Sequence, residues 1–344
     1  MVSGNKLRRH AIRSRFAHTG LTCTPAVADQ ISRLAAPWFT LEAGRPDTGA
    51  WEVFADTEPT GESVPELVTA HGEETVEYAV DHSRRFLFHL APSGDAWTAQ
   101  SLLRATRAIH RSAAARQGTS FLHAGLVELN GIGVALVGGS RAGKTSFIMA
   151  GVLDGSGVMV CNDDVSMLAG DGDEGVTGFG WPRSVSVRLD TLDLLFGHDR
   201  AQAVLSRLSH PANATLPRLR ESGAEPNGTA LLYPWEYADL LDTKIGQHAR
   251  VDVVVHLSLA DDPAEATLAP VHPSERRTLL ERRLLAQPNK HLNIFGHEPE
   301  PGSAEPTRDA LTALPTYRFR YDFHDVRRQV DRLAGFLSSQ LVGP

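Results

Sequence analysis

Residues 132–145 read Ile132-Gly133-Val134-Ala135-Leu136-Val137-Gly138-Gly139-Ser140-Arg141-Ala142-Gly143-Lys144-Thr145. An apolar strand is expected from Ile132 to Val137. The residues from Gly138 to Thr145 then fit G-x-x-x-x-G-K-[ST] in full, and a helix is expected from Lys144 to about Val152. Strand, glycine-bearing loop and helix start, in that order, suit a phosphate site, because loop and helix N–H groups converge on anionic oxygens. Lys144 is placed to neutralise the β- and γ-phosphates of ATP, and the Thr145 hydroxyl to reach Mg²⁺. The expected nucleotide contacts are Gly138, Gly139, Ser140, Arg141, Ala142, Gly143, Lys144, Thr145 and Ser146. Kinases, motors, switches and transporters all use such a loop, so the motif alone does not name a reaction.

Working outward, Phe121 to Leu129 reads as a strand, and Asn130-Gly131 is a hairpin turn that returns it beside the loop strand. His123 thereby comes near the loop, either as a structural hydrogen-bonding residue or as a catalyst. Downstream, the strand Val158 to Cys161 ends in Asn162-Asp163-Asp164. Open α/β sheets bind ligands at that edge. One carboxylate there can hold Mg²⁺ and the other accept a proton, while a plain Asn-Asp-Asp turn is the structural alternative.

His123-Ala-Gly125, Asn130-Gly-Ile-Gly133, the loop Gly138 to Thr145 and Asn162-Asp-Asp164 together resemble the catalytic core of the HPr serine kinase/phosphorylase family. The likeness runs from Phe121 to Leu168. That family shares its nucleotide-binding architecture with ATP-dependent phosphoenolpyruvate carboxykinases. The resemblance implies an α/β fold, a P-loop core of that type with a smaller β-rich N-terminal module. It also implies a kinase that moves the γ-phosphate of ATP to a hydroxyl. By the same resemblance Lys144 binds phosphate, Thr145 and Asp163 serve Mg²⁺, Asp164 is the general base and His123 positions the reacting phosphate. The two aspartates could exchange roles.

Arg141 stands where the family commonly has glycine, and a positive φ there would be costly for arginine. The family's later signature has no evident counterpart, and the N-terminal region does not match that of the bacterial regulators. The likeness is closer to stand-alone HPr-kinase-like proteins, including those that modify peptides in natural-product pathways. The acceptor is then a serine of a peptide or protein, or a small-molecule alcohol, and assembly into a homo-oligomer would suit the family. A nucleotide-dependent switch or slow NTPase is the alternative. Against a GTP-specific switch, Asn289-Lys-His-Leu292 lacks the aspartate a guanine-reading motif needs.

The rest of the chain bounds these readings. With 344 residues, 42% hydrophobic and 22% charged, it suits two globular domains. A net charge of −7 speaks against a nucleic-acid partner. Two cysteines, Cys23 and Cys161, exclude a disulfide framework or a four-cysteine zinc site and fit a cytoplasmic protein. No apolar run approaches membrane-spanning length.

A β-rich module is expected over 1–95, with a short helix at Ala26 to Ala36, a strand at Trp51 to Asp56 and a hairpin of Thr75 to Val80 with Arg85 to Leu90. Asp95 would cap a helix to about Gln117, opening the catalytic domain 96–344. Further strands are expected at Ser184 to Leu189 and Val251 to Leu257, with helices at Asp190 to Phe196, Ser274 to Ala286 and Asp325 to Leu341. The stretch Phe196 to Leu231 reads as a long polar loop, a lid or docking segment, and His297 to Pro306 as a linker. Arg183, Arg188, Lys244 and Arg250 are secondary candidates for phosphate contact. Asn289 to His291 is a candidate substrate loop, and Arg282, Arg283 and Lys290 could equally be a solvated helix end. Asp261-Asp262 reads as a surface turn, and Trp235 and Tyr237 as core or pocket wall.

Overall fold

A computed structural model of the chain describes residues 7–341 apart from 56, 60–62, 69–75, 91–93, 171, 214–227, 261, 263–265 and 286–301. The proposed loop at Asn289 to His291, Lys290, Asp261 and the first half of the stretch 297–306 therefore lie outside the described residues, as does the middle of the polar segment 196–231. The fold is mixed α/β with several sheets. It divides into two compact units, one of Met1–Gln117 with Gln287–Gly302, the other of Gly118–Ala286 with Ser303–Pro344. The 95/96 boundary expected from sequence falls instead at the start of the first unit's last helix. Among the described residues no helix is long and apolar enough to cross a membrane.

The first unit contains β1 (Arg8–Arg13), β2 (His18–Cys23), α1 (Pro25–Ala35), β3 (Thr40–Ala43), β4 (Trp51–Ala55), β5 (Val64–Val68), β6 (Val76–Asp81), β7 (Phe86–His89) and α2 (Asp95–Arg116). The strands form one seven-stranded sheet in the order β3-β1-β2-β4-β7-β6-β5. Thr24 caps α1 by accepting from the Val27 N–H, and Pro25 opens it. The cap of α2 is Gly94 and not Asp95, which is the first helical residue. Sequence reading found α1 but missed β1 to β3. In β1 only Ala11 and Ile12 are buried among exposed or half-buried basic residues, which hides the strand's alternation.

The second unit carries the loop. It runs β8 (Ser120–Leu122), β9 (Ala124–Leu129), β10 (Ile132–Val137), α3 (Lys144–Leu153), β11 (Gly157–Cys161), β12 (Val165–Ala169), β13 (Val176–Phe179), β14 (Val185–Arg188), α4 (Leu189–Phe196) and α5 (His198–Leu205). It continues with β15 (Thr229–Leu232), α6 (Pro234–Leu241), β16 (His248–Val251), β17 (Val253–Leu259), β18 (Thr267–Pro270), α7 (Pro273–Glu281), α8 (Glu305–Ala313), β19 (Thr316–Tyr321) and α9 (Val326–Leu341).

A six-stranded sheet, β11-β9-β10-β17-β19-β18, faces a four-stranded sheet, β16-β13-β12-β8, and β14 pairs with β15. Every residue of β10 is buried, because both faces of its sheet are covered. Val134 and Leu136 join the core shared with α3, α4 and α9. Ala135 and Val137 join the second core, with Met167 and Val176 of the facing sheet. Period-two alternation thus feeds two cores at once. The Asn130-Gly131 turn has φ of 49° and 80° at its two residues, the left-handed pair that a two-residue hairpin requires.

Three strand pairs change sheet without a loop. The expected strand Phe121 to Leu129 breaks at His123, where β8 in the smaller sheet gives way to β9 in the larger. The chain returns through Asn162-Asp163-Asp164, from β11 to β12. The expected strand Val251 to Leu257 breaks at Asp252, between β16 and β17. Gly133 takes a close backbone approach there. It donates its N–H to Asp252 Oδ2 (2.8 Å), accepts the Asp252 N–H (2.8 Å), and a Cβ on it would lie 1.6 Å from Arg250 O.

Candidate active site

Two of these crossings are side by side, which is what brings the site together. β9 pairs antiparallel with β11, and β8 antiparallel with β12, with Leu126 opposite Cys161 and Leu122 opposite Val165. The kinks between those pairs are His123 on one strand and Asn162 to Asp164 on the other. His123 Nδ1 lies 3.0 Å from Asp163 Oδ1 and 3.4 Å from Asp164 Oδ1. Its ring N–H is aligned with Asp164, and the nearer Asp163 oxygen lies off that axis. Asp164 adopts φ of 55°, a conformation aspartate tolerates better than most residues. That turns its second oxygen to Arg183, whose Nη1 donates at 2.5 Å. Trp181, two residues earlier, is buried and donates its indole N–H to Ser166 Oγ (2.7 Å), anchoring the arginine's segment to β12.

The loop from Gly138 to Gly143 joins β10 to α3 on the same edge. Gly138 is packed against Ala142 and the backbone of Leu257, with no room for a side chain. Ala142 donates to Gly139 O (3.2 Å) to close the bend. Arg141 has φ of 64°, the conformation flagged as costly, with its side chain exposed. Gly143 caps α3 at φ of 81°, and the Tyr321 hydroxyl donates to its carbonyl at 3.1 Å. A Cβ on Gly143 would stand 2.0 Å from that hydroxyl oxygen.

Lys144 turns back over the loop, donating to Gly138 O (3.1 Å) and Gly139 O (3.5 Å). Its Nζ also lies 3.4 Å from His123 Nε2. Burial lowers the lysine's proton affinity, and the charge of Asp163 works against that shift. The carboxylates of Asp163 and then Asp164 push His123 up to about 9. A protonated His123 cannot accept from Lys144, so two N–H donors meet at contact distance, an arrangement an anion bound beside them would relieve.

The structure therefore brings together Lys144, His123, Asp163 and Asp164, and sets Gly138 to Gly143 beside them. Thr145 is half-buried on the first turn of α3. Ser146 faces the interior, its hydroxyl buried 2.7 Å from Thr191 Oγ1. Of the secondary candidates, Arg183 joins the cluster. Arg188 pairs with Asp190 (2.7 Å) and Arg250 with Asp252 (3.2 Å). Tyr237 is fully buried core. Sequence reading did not weigh Asn162, whose Oδ1, like Asp163 Oδ1, is buried and accepts no hydrogen bond among the described residues.

The Asn162 oxygen, and the Asp163 oxygen that His123 meets only off axis, provide the test for a metal. Donor atoms of His123, Asp163 and Asp164 lie within 4.8 Å of one another. Mg²⁺ is a hard cation that prefers oxygen ligands and keeps several waters, so the residues present fit it, with Asp163 the carboxylate that has capacity to spare.

No protein-family model matches the chain, and no curated protein matches it. Among solved structures it is similar to the Hpr(Ser) kinase/phosphatase from Coxiella burnetii, at 11% sequence identity and a TM-score of 0.32, with 65% of this chain and 99% of that chain covered. At that identity and overlap neither family membership nor activity follows from the match.

Proposed function

We propose that the protein is an ATP-dependent phosphotransferase that moves the γ-phosphoryl group to a hydroxyl, on a serine of a peptide or protein or on a small-molecule alcohol. The observation that carries this reading is the approach of Lys144 and its glycine loop to the paired carboxylates through His123, all on one sheet edge. In this reading the α3 N-terminus and the loop N–H groups hold the nucleotide phosphates, and Lys144 leaves Gly138 O and Gly139 O to bind their oxygens. Asp163 and the Thr145 hydroxyl would hold Mg²⁺, which when bound neutralises charge on the phosphates. The acceptor oxygen attacks the γ-phosphorus as its proton passes to Asp164. The bond from that phosphorus to the bridging oxygen breaks, and ADP leaves. Arg183 and His123 hold the Asp164 carboxylate aimed at the acceptor.

The test is incubation with Mg²⁺ and γ-labelled ATP, alongside serine-containing peptides and a metabolite extract. Label on an acceptor that disappears in Lys144→Ala supports the kinase. Label released only as inorganic phosphate favours the slow-NTPase alternative.

A further inference from the structure

Arg283 follows α7 and was legible in sequence only as part of a charged helix end. Its carbonyl accepts the His123 N–H (2.8 Å), and the Leu285 N–H donates to Phe121 O (2.9 Å). Between them Leu284 bridges to Leu122. This short stretch is laid along β8 at the crossing that carries His123, so the backbone of Arg283 is fixed relative to the catalytic cluster. Its side chain reaches the loop. A Cβ built on Gly139 would have Arg283 Nη1 as its sole neighbour within 4 Å among the described residues, at 4.0 Å. The half-buried guanidinium makes no hydrogen bond or ion pair among those residues. Lys144 is at the same residue, donating to Gly139 O (3.5 Å), so two positive side chains meet the loop at Gly139. His256 stands opposite Val137, the last residue of β10, and burial helps to push it down to about 4, so at neutral pH it adds no positive charge.

A partly desolvated guanidinium that shares the Gly139 side of the loop with a lysine is unfavourable unless an anion joins them. We infer that Arg283 contacts the terminal phosphoryl group of the nucleotide and stabilises the charge that develops on it during transfer. This rests on the phosphotransferase reading above. The α3 axis points at phosphates within the loop, whereas Arg283 stands beside Gly139, where Lys144 turns towards His123 and the carboxylates. That side is where the reacting end of the nucleotide must lie if Asp164 is to reach the acceptor. The two positive groups differ in use. Lys144 is a point charge, and the arginine fork can take two oxygens of one phosphoryl group.

The experiment measures binding, without turnover, of the β,γ-imido analogue of ATP and of ADP in excess Mg²⁺. The proteins are wild type, Arg283→Ala, Arg283→Lys and Arg282→Ala, with melting curves recorded for each. Arg283→Ala is expected to weaken the triphosphate analogue roughly 10- to 100-fold and ADP by no more than about twofold. Arg283→Lys is expected to recover only part of that loss, and the exposed neighbour variant Arg282→Ala to match wild type. Equal weakening of both nucleotides in a folded Arg283→Ala would overturn the assignment, since that is the mark of a disturbed loop. If Arg283→Ala does not fold, Arg283→Lys decides: full affinity for the analogue overturns it, selective loss supports it. A wild-type protein that binds neither nucleotide would sink the phosphotransferase reading itself, a result distinct from any of these.

Discussion

Arg141 holds a left-handed φ of 64° at the exposed tip of the loop, where glycine would be unstrained. A left-handed residue with a side chain costs about 1–2 kcal/mol, and the extra freedom of unfolded glycine offsets about half of that. Arg141→Gly is therefore expected to leave stability unchanged or to raise it by up to about 1 kcal/mol in urea unfolding. A clear destabilisation would mean the arginine holds the loop together in a way its exposure does not suggest. Asp164 invites the opposite kind of substitution. Asp164→Asn keeps the shape but removes the proton acceptor, so turnover is expected to fall roughly 10²- to 10⁴-fold with ADP affinity little changed. Equal loss of ADP binding would move Asp164 from chemistry to scaffolding. At this scale the sequence marked Lys144, Asp163 and Asp164 as candidates, because each stands in a short contiguous run, Gly138 to Thr145 or Asn162 to Asp164. Arg183 and Arg283 were ambiguous, since both reach the cluster by folding from segments whose local pattern reads equally well as solvated charge.

The elements tell a similar story about local and distant signals. β10, α3 and the Asn130-Gly131 turn are written in contiguous patterns and were found with nearly the observed bounds. The breaks at His123 and Asp252 were not, because nothing in a run such as Val251 to Leu257 marks where it changes partners. Pairing decides that: β16 joins β13, and β17 joins β10 and β19. The short helices α5, α6 and α8 were also missed: α5 lies in the stretch read as a polar loop, α6 follows it, and α8 starts at the end of the expected linker. Gly133 is the element-scale test of the crossings. A methyl group there would collide with the Arg250 carbonyl, a backbone atom that cannot move without pushing β16 off β10 and straining its pairing with β13. Gly133→Ala is expected to cost about 3 kcal/mol or more in chemical denaturation. A cost below about 1 kcal/mol would show that the crossing at Asp252 is pliable.

Each unit also carries an imidazole that desolvation holds neutral, and this gives the molecule as a whole an acid sensitivity. In the first unit His110 is fully buried between Ser14 Oγ (2.7 Å) and Thr19 Oγ1 (3.0 Å) and stacks on Phe39. Burial pushes it down to about 3. Its folded affinity for protons is below that of the unfolded chain, so its contribution to stability is present above about pH 6.5 and is lost as pH falls towards 3. Between pH 7 and 5 that loss should be about 2 kcal/mol. Urea unfolding of wild type and His110→Gln at both pH values isolates it, because other titrations cancel in the comparison. An equal fall in both proteins would assign the sensitivity elsewhere.

The Tyr321 hydroxyl that fastens Gly143 comes from the last strand of the second unit, 178 residues along the chain. On a ribosome the loop emerges long before its clasp. At about 5–20 residues per second the interval is roughly 10–35 s. During that time a nascent chain would display the complete glycine-lysine signature with its helix cap unfastened. The signature is local, but the site is finished only when β17 and β19 have arrived beside β10. A nascent chain halted before Tyr321 should therefore carry the motif and lack the nucleotide affinity proposed for the finished site.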